Sequence, residues 1–209
     1  MSTAELLMMS TKKVLITGFG PFPNVDKNPS WESVNAMSRD DIESKYNIRF
    51  YREQIDVAYE TVDGSVPRLW AKLQPNLTIH VGVKDDISGF QLETQADKEC
   101  YDVPDINGTC PVDFRHCMDG PDTIVTDLDV DHVCQEFNRN PPVEGLTAEK
   151  SCDAGKYLCE YTYYTSLACS AGCSKTLFVH VPFHTLPIDH IALGLERILE
   201  ICLEQMRDC

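Results

Sequence analysis

No apolar run in this chain approaches the length of a membrane span. Basic residues are also scarce, with 18 Lys and Arg against 33 Asp and Glu and a net charge of −15. Nucleic-acid binding needs cations along the phosphate path, so that class of partner is excluded. The first ten residues carry Glu5 in an apolar run too short for a secretory signal. The expected setting is therefore a cytosol, with most thiols reduced. Ten cysteines in 209 residues fall well below the density of a disulfide scaffold. No ligand spacing supports zinc, and Asp85, Asp86, Asp97, Asp102 and Asp105 follow no calcium-loop pattern. Neither metal nor cofactor is expected, and the sequons at Asn76 and Asn107 mean little without secretion. Cys169, Cys173 and Cys209 read as exposed thiols.

The acids that are present are unevenly placed. Residues 84–149 hold 16 of the 33 acids and 4 of the 18 bases, a local charge of −12. Their Gly, Pro, Asn and Asp content reads as a loop-rich insertion at about 84–122 with solvated acids. Around it, strand and helix patterns alternate. Apolar strands are expected at Lys13–Thr17, Ile48–Ile55, Leu77–Val83, near Leu146–Ser151, and at Leu177–Val181. Helices are expected over Ser30–Ser38 with Ser30 as cap, Tyr59–Leu73, Asp129–Asn138, Cys159–Ala168 and Pro187–Met206. The last helix places Ile191, Leu193, Leu195, Ile198, Leu199 and Cys202 on its apolar face. The pattern predicts an α/β fold, a three-layer α/β/α sandwich around a mixed, largely parallel sheet. Residues 1–12 are expected to be a poorly ordered tail ahead of a single domain at 13–209.

In such a sheet, ligands gather where the strands end at their C-termini. Those ends are chemically loaded. The first opens into Thr17-Gly18-Phe19-Gly20-Pro21-Phe22 and then Asn28-Pro29-Ser30-Trp31. A later one opens into Ser151-Cys152-Asp153-Ala154-Gly155-Lys156-Tyr157-Leu158-Cys159, and the last apolar strand carries His180. One cysteine just past a turn and one histidine in a buried strand suit a thiol nucleophile and its base. The thiolate is the reactive form, so Cys159 is expected to be ionised by a helix N-terminal turn and a nearby imidazole. Each residue also has a plain structural reading. A cysteine in an apolar helix is more often core, Phe19 and Phe22 could close the core, and His80 reads as a satisfied core histidine.

Taken together, these blocks resemble the pyroglutamyl-peptidase I family of cysteine peptidases, nearer its animal branch. The match runs from about Lys13 to Met206 and rests on three segments in order: the Thr17–Phe22 turn with Asn28–Trp31, Ser151–Tyr164, and Phe178-Val179-His180-Val181-Pro182. The resemblance implies Cys159 as nucleophile, His180 as general base and acid, and Glu93, in Gln91-Leu92-Glu93-Thr94, as the carboxylate that orients the histidine. It also implies that Phe19 and Phe22 flank the lactam ring of a pyroglutamyl peptide, with Gly18 and Asn28 in the binding turn. The bacterial glycine-rich loop after the third strand is replaced here by Gly82-Val83-Lys84-Asp85-Asp86. Two other readings stay open, a silent relative that binds blocked peptide ends and a nucleoside phosphorylase of similar architecture. Oligomeric state and preference for the residue after pyroglutamate are left open by the sequence.

Overall fold

The computed structural model describes residues 11–170 and 175–206. Strand β1 (Lys12–Phe19) includes Lys12, the last residue of the expected tail, whose residues 1–10 lie outside the described range. Two short helices follow. Asn28, not the expected Ser30, caps α1 (Pro29–Ala36), accepting from Ser30 N at 3.1 Å, with Pro29 preset in the first turn. Ser38 then caps α2 (Arg39–Tyr46), which ends at Asn47 with φ 52°. Only Ile42 of α2 is buried, so the helix has no apolar stripe for a periodicity reading to find.

The succeeding elements are β2 (Ile48–Ile55), α3 (Tyr59–Leu73), β3 (Leu77–Lys84), β4 (Phe90–Glu93), β5 (Gln95–Asp97) and β6 (Thr123–Val125). The chain closes with α4 (Val130–Arg139), β7 (Ala148–Ser151), α5 (Leu158–Ser170), β8 (Lys175–Pro182) and α6 (Ile188–Gln205). The main sheet runs β2-β1-β3-β8-β4-β7, with every neighbouring pair parallel except β4 against β8. β5 and β6 form a separate antiparallel pair. The expected sandwich is thus present, but the acidic segment is not merely a solvated loop. It threads β4 between β8 and β7, and buries Glu93 and Asp105. Four residues flanked by polar neighbours gave too short a run to stand out.

Side chains alternate across a strand, so the sheet has two unlike faces. One carries Val14, Ile16, Ile79, Val81, Leu177, Val179, Phe90 and Leu92 against α1, α2, α4 and α6. The other lies under α3 and α5 and mixes Phe19 and Phe178 with buried Thr17, Thr78, His80, Thr176, His180 and Glu93. Fully burying a large apolar side chain is worth about 1.5–3 kcal/mol. A buried polar atom with no partner costs about 1–3 kcal/mol, and among the described residues Thr78 Oγ1, Thr176 Oγ1 and His80 Nε2 are in that position. The first face therefore stabilises the fold, while the second carries the polar groups. Leu193, expected on the buried stripe of α6, is 45% exposed instead.

Candidate active site

Cys159 reaches its place through a tight turn and a helix start. Asp153 N donates to Ser151 Oγ at 3.2 Å, and Asp153 Oδ1 accepts from Gly155 N at 3.0 Å. Gly155 has φ 84°, where a side chain would be strained. Cys159 is then the second residue of α5, in the turn whose backbone N–H groups have no partner within the helix. That end is fixed to β5 by Lys156, which reaches Asp97 at 2.9 Å and the buried Glu160 at 2.8 Å.

Gly82 on β3 makes room for the sulfur. A Cβ at that position would lie 2.7 Å from Cys159 Sγ and 2.8 Å from the Phe178 ring. Gly82 is also the register partner of His180 on the adjacent parallel strand, and paired strands lie about 4.8 Å apart. Partners in register point to the same side of the sheet. The imidazole and the α5 thiol that rests over Gly82 therefore lie on the same face of the sheet.

His180 Nδ1 lies 2.8 Å from Glu93 Oε1, with both side chains buried. A carboxylate there accepts from Nδ1–H, which leaves Nε2 free to take a proton. Glu93 is held in turn by α5, since Tyr163 Oη donates to its backbone carbonyl at 2.9 Å. So α5 positions both the thiol and the strand that carries the carboxylate. Burial, reinforced by the charge of Glu93, pushes the Cys159 thiol up to about 12, with Lys84 pulling the other way. Burial thus works against the resting thiolate expected from the sequence.

The remaining candidates separate. Phe22 is half-buried, and its ring centroid lies 6.0 Å from that of Phe183, which directly follows β8. Phe183 was not singled out from sequence; its position next to the histidine strand was the available signal. Phe19 is 5% exposed and packs mainly into the core under α3 and α5. Gly18 faces away from the site, for a Cβ there would meet the backbone of Ser30 and Trp31 at 2.7 Å. It serves close approach of α1 to β1, and its φ is not positive. The Asn28 amide is engaged within the chain, donating to Gly20 O at 3.0 Å and accepting from Ser30 N and Ser30 Oγ. It shapes the turn that displays Phe22. His80 is fully buried with Nδ1 2.6 Å from Thr17 Oγ1, so it is a core histidine satisfied on one nitrogen only. Cys152 is exposed, Cys169 is half-buried where exposure was expected, and the described cysteines are all unpaired. Cys173 and Cys209 lie outside the described residues. Among the described residues no cluster of His, Cys, Asp and Glu could hold a metal, and no helix is long and apolar enough to cross a membrane.

Comparison with known proteins agrees with this geometry. The pyroglutamyl peptidase family pattern matches residues 12–204. The chain is 36% identical to the human protein named pyroglutamyl-peptidase 1 over 94% of its own length and 90% of the relative's. It is 28% identical to the pyrrolidone-carboxylate peptidase of Pseudomonas fluorescens, over 81% of its own length and 78% of that protein's. Among solved structures, pyroglutamyl peptidase I of Bacillus amyloliquefaciens superposes with a TM-score of 0.80 at 25% identity, covering 92% of this chain and 97% of that one. The pyrrolidone carboxyl peptidase of Thermococcus litoralis shares the fold, with a TM-score of 0.83 at 24% identity over 95% of this chain and 96% of the other. With the thiol, imidazole and carboxylate gathered on one sheet face and the family pattern spanning nearly the whole chain, this protein belongs to the pyroglutamyl peptidase family.

Proposed function

We propose that the chain is a cysteine exopeptidase that hydrolyses the bond after an N-terminal pyroglutamate, with Cys159, His180 and Glu93 acting as one unit. The observation that carries this reading is the buried 2.8 Å contact between His180 Nδ1 and Glu93 Oε1, beside a thiol seated on the register partner of His180. In the first step the Cys159 proton passes to His180 Nε2 as sulfur attacks the carbonyl. Glu93 stabilises the imidazolium so formed without taking its proton. The backbone N–H groups at the start of α5, which have no partner within the helix, are the donors available to stabilise the oxyanion. Collapse breaks the C–N bond, and His180 gives its proton to the leaving amine. The thioester that remains is hydrolysed by a water that His180 deprotonates, releasing pyroglutamate and the free thiol.

The lactam is an uncharged, half-apolar ring, and the Phe22–Phe183 pair is an aromatic surface suited to cover it. A free N-terminal glutamate or glutamine would bring an ammonium into that apolar place, which costs several kcal/mol. The test is release of a chromogenic amine from its pyroglutamyl amide. Turnover is expected and should be abolished by prior thiol alkylation and spared by a chelator. No release, or release that survives complete alkylation of Cys159, would overturn the proposal.

A further inference from the structure

Lys84 is the last residue of β3. Strand alternation puts its side chain on the face of Gly82, the residue on which the Cys159 sulfur rests. Its register partner is Pro182, two residues beyond His180. The ammonium crosses to the turn that feeds α5 and donates to the Asp153 carbonyl at 3.2 Å. The strand end is itself tied down, because Phe183 N donates to Lys84 O at 3.3 Å.

The charges around the thiol make this placement matter. Glu93 faces it from β4, His180 from β8 and Glu160 from α5 itself, with the Tyr157 phenol nearby. Both carboxylates oppose ionisation of the sulfur. Lys156 is held between Asp97 and Glu160, whereas the hydrogen bond of Lys84 Nζ goes to a neutral backbone carbonyl. Asp85 and Asp86 follow it but are exposed to solvent.

We propose that Lys84 is a positioning residue for the nucleophile, bracing the Ser151–Gly155 turn and holding a positive charge beside the Cys159 sulfur as it ionises. This deepens the proposed function and rests on Cys159 being the nucleophile. The effect is modest in size, since the ammonium is partly exposed and screened by solvent.

Lys84→Arg, Lys84→Gln and Lys84→Met in the whole chain separate the charge from the brace. Glutamine can still donate to Asp153, arginine keeps donor and charge, and methionine loses both. The readouts are turnover of the pyroglutamyl amide and the rate of iodoacetamide alkylation at Cys159, localised by peptide mapping at low and high salt. Lys84→Gln should slow alkylation about two- to fourfold below the thiol pKa, for half to one unit of lost stabilisation partly offset by the greater nucleophilicity of a more basic sulfur. Turnover should fall by a similar factor, Lys84→Arg should restore both, and high salt should shrink the gap between wild type and Lys84→Gln. Equal alkylation of wild type and Lys84→Gln at low salt would overturn the proposal, as would a salt-independent loss shared by Lys84→Arg. Alkylation needs no turnover. A wild type that ignores pyroglutamyl amides would therefore overturn the peptidase reading, while an alkylation rate unaffected at Lys84 with turnover intact would overturn this one alone.

Discussion

Burial pushes the Cys159 thiol up to about 12, and at the scale of single residues that cost has to be met during the reaction. In the proposed reaction the His180–Glu93 pair meets it, because an imidazolium with a buried carboxylate at 2.8 Å is more stable than one without. Neutralising the carboxylate should therefore reach the chemistry directly. Glu93→Gln is expected to lower turnover by roughly two to four powers of ten with substrate affinity little changed. Glu99→Gln, an exposed acid of the same segment that pairs with Arg115, should cost almost nothing. Steady-state kinetics on both variants checks this, and near-full turnover of Glu93→Gln would place the orienting group elsewhere. Cys159 at a helix start and His180 in a buried strand were legible as candidates in the sequence, because a turn, a cysteine and a strand histidine are local patterns. The contact of Glu93 with His180 was legible only by resemblance, since the two lie 87 residues apart in the chain.

Among the elements, β3 and α5 do most to build the site, and they meet at Gly82. A methyl group there would fall within 2.7 Å of the sulfur and 2.8 Å of the Phe178 ring, so one of them must move. Displacing a reacting atom by about 1 Å can cost about a hundredfold. Gly82→Ala is accordingly expected to lose at least about tenfold in turnover, with about 1–3 kcal/mol of stability. Gly64→Ala on α3, where a Cβ meets nothing, should instead gain about 0.5–1 kcal/mol and keep full turnover. Kinetics with thermal unfolding on the pair reads both effects, and an unimpaired Gly82→Ala would show that the thiol does not sit there. The longer elements were readable from periodicity. β4 and α2 were not, the first because four residues make too short a pattern and the second because it buries one side chain. Whether a glycine clears space for a nucleophile or for a helix is decided by packing partners far away in sequence, which is why Gly18 was read as a site residue and Gly82 was not.

For the molecule as a whole, the sandwich was foreseeable from alternating strands and helices, while the polarity of one buried sheet face was not. Titratable groups buried on that side, His80 on the sheet and His116 and Glu160 at α5, set the acid limit of the fold. Desolvation lowers His80 to about 3, and desolvation, with a smaller contribution from Lys98, lowers His116 to about 4. Both are therefore neutral when folded and bind protons when unfolded below about pH 6.5. Their contribution is complete above that value and is lost as pH falls toward the folded values, by about 1.4 kcal/mol per unit for each histidine. Glu160, which burial pushes up to about 7, works in the opposite sense, since its folded form holds the proton as pH rises from about 4.5. Two histidines against one glutamate leave a net loss of about 1.4 kcal/mol per unit on acidification between pH 6.5 and 4.5. Denaturant unfolding across that window should show it, and His116→Gln should flatten it. An unchanged slope in the variant would mean that His116 does not stay neutral when folded.

The claim that joins these scales is that one thiol of the ten does the chemistry. The direct measurement compares turnover of a pyroglutamyl amide by Cys159→Ser and Cys152→Ser, each confirmed folded by circular dichroism. Cys159→Ser should bind substrate and lose nearly all turnover, because a hydroxyl is a far weaker nucleophile beside the same base. Cys152→Ser, at an exposed position in the preceding turn, should be close to wild type. Comparable losses in both, or an active Cys159→Ser, would contradict the account.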